Sequence, residues 1–323
     1  LVLVAVLLVG AVFAFSACKD EKKEIKAALI CLHGDSSTYD KNFIDAFKQA
    51  CANKGLTEEN YTIITDIPEG TECYDKAADF ADRGYDVIFA DSFGHESFMI
   101  QAAKEFPNVQ FCHATGTMAH TEDLANVHNA FAPIYEGRYL AGVAAGLKLN
   151  EMIAEGKITA DKAKMGCVGA FTYAEVISGY TSFYLGAKSV CPDVIMKVQF
   201  TGSWYDEKEE KTAAEALINA GCDLISQHAD SMGAPTACET AKVPNVSYNG
   251  STAAACPETF LISSRINWAP YFQYICEQNM KGEAIATDWT GTIATGSVVL
   301  TDVNTAVAAA GTVEEIAKIT EEL

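Results

Sequence analysis

The chain has 323 residues, of which 49 % are hydrophobic and 20 % are charged, so it is long enough for two domains of ordinary size, each with its own core. Its formal net charge is −20 at pH 7. Such a charge argues against a nucleic-acid partner, because the phosphates would be repelled.

The first residues form an apolar run that stops at Cys18 and then turns abruptly charged. This run is short for a membrane span and suits the apolar region of a signal peptide. The segment Phe15-Ser16-Ala17-Cys18 resembles a bacterial lipobox, whose Cys becomes the lipidated N-terminus of the mature protein. We therefore expect a truncated signal peptide at 1–17, and a lipidated Cys18 with a solvated tether at 18–26. An ordinary cleaved signal or an unlipidated anchor is the alternative.

Strand-like and helix-like runs alternate in the first part of the chain. The strand-like runs are IKAALICL, YTIIT, DVIFA and VQFCHA. The first three are followed by helix-like runs, DKNFIDAFKQACANKG, TECYDKAADFADRG and HESFMIQAAKEFPN. This series closes near Gly116. Alternation of this kind predicts a parallel sheet with helices on both faces.

A long helix of small residues, IYEGRYLAGVAAGLKL, comes next, and the alternation then restarts. The strand-like runs of the second series are KMGCVGA, DVIMKVQF, CDLIS and VPNVSY. Two series of similar length predict an α/β fold of two doubly wound parallel-sheet lobes. The C-terminal segments, FLISSRINWAPYFQYICEQNMKG and the tail after it, are expected to return over both lobes.

The restart and the returning segments predict three crossings of the chain between the lobes. We expect them near 125–131, near 249–262 and near 283–292. The first lobe then comprises 27–128 plus 253–290, and the second lobe comprises 129–252 plus 291–323.

Ten cysteines remain after Cys18. In an exported chain an even number would normally suggest disulfides. Their positions argue otherwise, because most lie inside apolar strand-like runs or helical patterns, where cysteine serves as a small buried hydrophobe. No Cys-x-x-Cys pair is present, so zinc and redox sites lack their usual spacing. We expect buried free thiols.

Polar side chains follow nearly every predicted strand, where an open parallel sheet collects its ligands. One such segment, GSWYDE, carries Trp204 between a strand and a helix that Asp206 and Glu209 are expected to cap. Trp204 could cover the end of a core, or it could grip a flat ligand in a cleft between the lobes.

Motifs for catalysis are missing from the sequence. It has no Gly-x-Gly-x-x-Gly, no Walker loop and no Gly-x-Ser-x-Gly elbow. His113 and His120 are seven residues apart without a helical carboxylate between them, which does not favour a metal site. His228, Asp230 and Ser231 lie on one loop, whereas a catalytic triad is assembled across space. These observations favour a binding protein over an enzyme, with neither a metal nor a cofactor.

The sequence resembles a known family. The segments that carry the resemblance, in order and at sensible spacing over almost all of the mature chain, are DSFG…AAKEFPNVQFCHATG, YEGRYLAGVAAG, GSWYD…AAEALINAGCDLISQHADS and INWAPYF. They resemble the basic membrane protein family of solute-binding lipoproteins, the purine nucleoside or nucleobase receptors of ABC importers. The resemblance implies a type I periplasmic-binding-protein-like fold with three interlobe crossovers that closes on its ligand.

The resemblance also implies a set of ligand-binding residues. Tyr39 and Trp204 match the two aromatic residues that sandwich the purine ring. The other positions that match ligand loops or the hinge-side segment, or that follow a strand of the second lobe, are Asp35, Asn42, Ser92, Phe93, Ser97, Phe171, His228, Asp230, Ser231, Asn249, Asn267 and Trp268. A carboxylate such as Asp230 or Asp35 could accept hydrogen bonds from purine N–H groups.

Some positions depart from the family pattern. Asn249 and Ser251 stand where relatives often carry acids that can hold ribose hydroxyls, and Ser37 replaces a bulkier residue. The choice between nucleobase and nucleoside therefore stays open.

The sequence thus predicts an extracytoplasmic, lipid-anchored, monomeric receptor that delivers a purine nucleoside or nucleobase to an ABC permease and its ATPase. The alternatives are a ligand-sensing or signalling receptor of the same fold and a nucleoside hydrolase, which the missing catalytic motifs disfavour.

Overall fold

The protein is described by a computed structural model that covers residues 23–322. The predicted signal peptide and the lipidation site Cys18 lie outside the described residues. The described part of the chain forms two α/β lobes, each built on a six-stranded sheet, as the alternation predicts.

The sheet of the first lobe has the strand order β11-β5-β4-β3-β1-β2, and neighbouring strands are parallel. Its strands are β1 (Ala27–Ile30), β2 (Tyr61–Ile64), β3 (Val87–Ala90), β4 (Gln110–Ala114), β5 (Val127–Phe131) and β11 (Asp288–Thr290). The sequence pattern missed β5, which extends the sheet beyond the predicted end of the series near Gly116.

Helices cover both faces of this sheet. They are α1 (Thr38–Lys54), α2 (Thr71–Asp82), α3 (Glu96–Glu105), the short α4 (Ala119–Glu122) and α9 (Ala269–Lys281). Helix α1 packs against α9 on one face, and α2 packs against α3 on the other. Phe43 and Phe47 are fully buried on the α1 side, as the predicted apolar stripe requires.

The sheet of the second lobe has the order β12-β10-β9-β8-β6-β7 and is parallel except for its edge strand β12, which runs antiparallel to β10. Its strands are β6 (Lys164–Gly169), β7 (Ile195–Phe200), β8 (Leu224–His228), β9 (Asn245–Tyr248), β10 (Phe260–Ile266) and β12 (Val298–Leu300).

Five helices cover the second sheet, namely α5 (Tyr135–Ala154), α6 (Ala174–Val190), α7 (Glu207–Asn219), α8 (Gly233–Ala241) and α10 (Thr312–Glu322). Helices α5 and α6 pack so closely that a Cβ on Gly142 would lie 2.0 Å from the carbonyl oxygen of Phe183, and a Cβ on Gly186 would lie 2.0 Å from that of Tyr139. The small residues predicted for α5 therefore permit a close backbone approach.

The chain crosses between the lobes three times, as expected, but the positions differ from the prediction. The crossings lie at 132–134, at 267–268 and at 291–297. The second one is the main correction, because β10 pairs with β9 in the second lobe and only α9 returns to the first. Thus 253–266 belongs to the second lobe and 129–131 to the first.

The predicted tether also needs a correction at its end. Ile25 is fully buried in the core of the first lobe, and the backbone N–H of Lys23 donates to the carbonyl of Met280. Apolar burial therefore draws the chain onto the lobe before Lys26. None of the helices in the described part is long and apolar enough to cross a membrane.

All ten cysteines after Cys18 are buried and free, as predicted. Burial raises the pKa of each thiol that shows a shift, for example to about 12 for Cys112 and to about 11 for Cys167.

Candidate functional site

A cavity lies between the two lobes, at the carboxyl ends of the strands, where ligands of open α/β sheets collect. The space between its walls amounts to about 370 Å³, part of which is open to solvent. Its lining residues are Leu32, Tyr39, Asp40, Ser92, Phe93, Thr115, Glu175, Trp204, Asp230 and Tyr248. Both lobes contribute, so a ligand held here would contact each of them.

The first turn of α1 supplies Tyr39 and Asp40. Ser37 caps the helix by accepting a hydrogen bond from the backbone N–H of Asp40. The Tyr39 hydroxyl donates to the carbonyl of Asp91 (2.8 Å), which fixes the ring at the cavity wall. Both oxygens of Asp40 are already occupied, because they accept from the backbone N–H of His33 (2.7 Å) and from the hydroxyl of Ser37 (2.5 Å).

A buried cluster of Cys31, Asp40 and Asp91 lies behind this wall, with candidate ligand atoms within 4.8 Å of one another. Burial and the charge of Asp40 raise the pKa of Asp91 well above its ordinary value. Asp91 accepts a hydrogen bond from the backbone N–H of Leu32 (3.1 Å) through Oδ1, whereas its buried Oδ2 has no partner among the described residues.

The segment after β3 brings Ser92 and Phe93 to the cavity. The hydroxyl of Ser92 donates to Glu69 (2.5 Å), and the carbonyl of Ser92 pairs with the buried ring of His113 (2.6 Å). Burial lowers the pKa of His113 to about 3, so this ring stays neutral and holds the backbone in place. His120 lies apart from it, with its side chain exposed near Asp288.

Trp204 lies on the loop between β7 and α7 and lines the cavity from the second lobe. Phe171 packs against it at a centroid distance of 5.0 Å in an edge arrangement, and Tyr173 lies 5.8 Å away. The indole is only partly buried by these neighbours. Trp204 therefore lines the cavity with the rings of Phe171 and Tyr173 packed beside it.

The start of α7 fixes the loop that carries Trp204. Asp206 is the N-cap, as predicted, and accepts from the backbone N–H groups of Lys208 and Glu209. The reciprocal acceptor is Glu210 and not the predicted Glu209: the backbone N–H of Asp206 donates to Glu210 at 3.3 Å. Glu210 also accepts from the backbone N–H of Ser231 and so ties this loop to the one after β8.

Two carboxyl groups of the second lobe line the cavity without a hydrogen-bond donor from the described residues. Asp230 is 4 % exposed, and burial together with the charges of Asp40, Glu210 and Glu175 raises its pKa well above the ordinary value. Glu175, in the first turn of α6, has a buried Oε1 with no partner in the described part of the chain. Burial raises its pKa to about 7.

His228 supports the cavity from behind. Its ring stacks on Tyr248, a cavity residue, at a centroid distance of 4.1 Å. Burial and the neighbouring guanidinium of Arg138 lower the pKa of His228 well below its ordinary value, which keeps the ring neutral. Asp230 and Ser231 follow His228 on the same loop, but the Ser231 hydroxyl is engaged by the backbone N–H of Gly233, the first residue of α8, from which it accepts a hydrogen bond (3.1 Å). The three side chains are therefore not assembled as a catalytic triad.

The remaining predicted site residues lie outside the cavity lining. Asp35 and Ser97 are exposed. Asn42 on α1 donates to the carbonyl of Asn249 (2.7 Å), which follows β9, and this hydrogen bond links the two lobes. Asn267 lies in the second crossing and donates to the carbonyl of Gly296 (3.1 Å).

Trp268 is a correction. It is 1 % exposed and stacks on Phe43 at 4.7 Å inside the first lobe. The apolar face of α9 requires this burial, so Trp268 is a core residue.

The two lobes touch across the mouth of the cavity. The backbone N–H of Thr38 donates to the carbonyl of Asp230 (3.1 Å), and the rings of Phe93 and Tyr173 lie 5.2 Å apart. Phe171 reaches the cavity only through Tyr173 and Trp204, which it supports. These contacts hold the lobes together in this structure.

The sequence interpretation missed five residues of the lining, namely Leu32, Asp40, Thr115, Glu175 and Tyr248. All of them directly follow a strand, end it or begin the next helix. The rule that ligands collect at the carboxyl ends of parallel strands could have identified them. The family resemblance indicated other positions of the same loops.

Comparison with known proteins gives matches over most of the chain. A family model described as "ABC transporter substrate-binding protein PnrA-like" matches residues 34–322. "Purine-binding protein BAB2_0673" of Brucella abortus is 35 % identical over 65 % of this chain and 56 % of its own length. "Putative ABC transporter glucose-binding protein TsgA13" of Haloferax volcanii is 34 % identical over 67 % of this chain and 52 % of its own length.

The chain thus spans about half the length of these curated relatives. Among solved structures, an ABC transporter system solute-binding protein from Aeropyrum pernix K1 superposes with a TM-score of 0.75 at 16 % identity, over 92 % of this chain and 86 % of the other. That likeness supports the two-lobed fold. Because the family model matches residues 34–322, this chain belongs to the PnrA-like family of ABC transporter substrate-binding proteins.

Proposed function

We propose that this protein captures a purine nucleobase or nucleoside in the interlobe cavity and delivers it to an ABC importer. The observation that carries the proposal is the lining of the cavity, where Tyr39 and Phe93 of the first lobe and Trp204 and Tyr248 of the second accompany buried carboxyl groups. Aromatic rings suit the faces of a flat heterocycle, and carboxylates suit its N–H groups. The printed name of the Brucella abortus relative agrees with this ligand class.

A sugar is the second candidate, because the Haloferax volcanii relative is named a putative glucose-binding protein. Sugar sites also stack a ring on an aromatic face, but they need many polar partners for the hydroxyls. In this cavity, Tyr39, Asp40 and Ser92 already use their polar groups within the protein. The lining therefore favours a flat ligand with few polar edges.

Delivery to a permease requires an extracytoplasmic location. The lipobox-like segment ending at Cys18 supports a membrane anchor, which we include in the proposal. A single acyl chain binds a membrane only weakly, so stable anchoring takes two lipid signals on this residue. Mass spectrometry of the N-terminal peptide from native membranes tests this part, and an N-terminus other than an acylated Cys18 would refute it.

Isothermal titration calorimetry on the purified protein tests the ligand class. The titrants are adenine, guanine, inosine, guanosine and glucose, after refolding has removed any co-purified molecule. Binding of at least one purine with no measurable heat from glucose is expected. Glucose binding without purine binding would replace the proposal by the second candidate.

A further inference from the structure

Glu175 is the least satisfied acid of the cavity, and it lies where a flat ligand would be held. Its buried Oε1 has no partner within the described residues. It lines the same cavity as the aromatic residues Tyr39 and Tyr248 and the second acid, Asp230. A buried acceptor without a donor is costly, so the environment of Glu175 is incomplete without a ligand.

Among the described residues, those with ionisable acid or base side chains that line the cavity are the acids Asp40, Glu175 and Asp230, and no Lys, Arg or His is found there. Asp40 is already satisfied by protein donors, whereas Asp230 and Glu175 are not. An anionic ligand would be repelled by this set. A neutral ligand with N–H groups on more than one edge would satisfy both acids.

Glu175 lines the cavity together with aromatic rings, and this position limits which hydrogen-bond donors a bound ligand can present to it. A flat heterocycle lies against the rings, and its in-plane substituents point to the wall between them. The donors available there are ring and exocyclic N–H groups, whereas a ribose projects from one end of the base. We propose that Glu175 is a specificity-determining residue, which accepts a hydrogen bond from the exocyclic amino group of an aminopurine. Glu175 loses its proton when that ligand binds. This inference rests on the proposed purine function.

The proton balance follows from the surroundings of Glu175. The titratable groups that line the cavity together with Glu175 are Tyr39 and Asp40 on α1, Tyr248 at the end of β9 and Asp230 on the loop after β8. Burial raises the pKa of Glu175 to about 7, so below pH 7 the empty site holds a proton on it. An N–H donor stabilises the ionised form and lowers the pKa, so binding releases that proton to solvent. Affinity for the ligand therefore rises as pH increases to about 7 and levels off above it.

The test is calorimetry of the full chain at pH 6 in two buffers with different ionisation enthalpies, which yields the number of protons released. The ligands are adenine, unsubstituted purine and adenosine. The variants are Glu175→Gln and, as a matched control, Glu215→Gln, an exposed acid on α7 of the same lobe. Far-UV circular dichroism and thermal unfolding verify that both variants fold.

We expect Glu175→Gln to weaken adenine binding by about 10- to 100-fold, the loss for a hydrogen bond to a charged group. Proton release should fall by about one, and the preference for adenine over unsubstituted purine should shrink, because a neutral amide oxygen accepts a weaker hydrogen bond than a carboxylate. Glu215→Gln should match the unmodified protein in all three measurements.

Three results would overturn the inference. Unchanged proton release and unchanged preference in a folded Glu175→Gln variant would remove Glu175 from ligand recognition. A loss of preference for adenosine over adenine, with the amino-group preference intact, would assign Glu175 to ribose. If the unmodified protein binds none of the three ligands, the proposed purine function fails as well, and this outcome is distinct from the other two.

Discussion

We assign one tryptophan, Trp204, to the ligand site and another, Trp268, to the core. Replacing each of them by alanine tests this assignment. Trp204 lines the interlobe cavity and is partly buried, whereas Trp268 is 1 % exposed and stacks on Phe43. The two variants remove the same side chain from different surroundings. They are therefore matched controls for each other.

We expect Trp204→Ala mainly to weaken ligand binding and Trp268→Ala mainly to lower the unfolding free energy. Stacking of a base on an aromatic ring contributes about 1–3 kcal/mol, so Trp204→Ala should weaken purine binding by roughly 5- to 150-fold. Its cost in unfolding free energy should be smaller, about 1–2 kcal/mol, from the lost contacts with Phe171 and Tyr173. Trp268→Ala should cost about 3–5 kcal/mol of unfolding free energy, because it leaves a cavity in a fully buried aromatic cluster.

Denaturant unfolding without ligand and calorimetric titration with purines measure both quantities for each variant. The reasoning is refuted if Trp204→Ala unfolds much more easily yet binds normally, since Trp204 would then be a core residue. It is equally refuted if Trp268→Ala keeps its stability and loses the ligand. Either result would reverse the assignment of the two indoles.

Three further predictions concern stability and accessibility. Burial raises the pKa of Glu210 to about 7, so the folded state binds a proton that the unfolded state loses above about pH 4.5. The unmodified protein should therefore lose unfolding free energy as pH rises from 4.5 to 7, whereas the Glu210→Gln variant lacks this loss. The variant should gain up to about 3 kcal/mol relative to the unmodified protein over this range, and a stability difference between the two proteins that does not change with pH would contradict this. Gly142→Ala should destabilise the protein by about 1–3 kcal/mol in denaturant unfolding, since its Cβ would meet the carbonyl of Phe183 at 2.0 Å, and an unchanged midpoint would show that α5 and α6 can separate freely. The ten buried cysteines should resist alkylation at pH 8 until urea is added, and peptide mapping that finds a labelled Cys112 or Cys167 in the native protein would disprove their burial.

The fold class could be predicted from the sequence alone. The period of the apolar residues and the turn signals identified most strands and helices, because these patterns are set by local geometry and by which side of each element is buried. The two alternating series predicted two lobes, and the family resemblance agreed with the three crossings expected between them. The buried free cysteines were also predictable, since they lie in runs that only a core can accommodate.

The positions of the crossings depended on the tertiary structure. No local feature of strand β10 assigns it to one sheet, and only its pairing with β9 and β12 places it in the second lobe. The same applies to β5, which pairs with both β4 and β11. Pairing partners far apart in sequence leave no local signal in the strand itself.

The candidate site was predictable in part. Tyr39, Ser92, Phe93, Trp204 and Asp230 line the cavity, as the strand ends and the resemblance indicate.

The sequence by itself determined which loops approach the cleft, because the carboxyl ends of parallel strands share one edge. Only the tertiary structure decided which side chains on those loops face the cavity, because that depends on contacts between distant segments. Trp268 faces Phe43, and Asn42 faces Asn249, so both leave the lining. Glu175 belongs to the lining, and its Oε1 is buried there without a donor from the described residues.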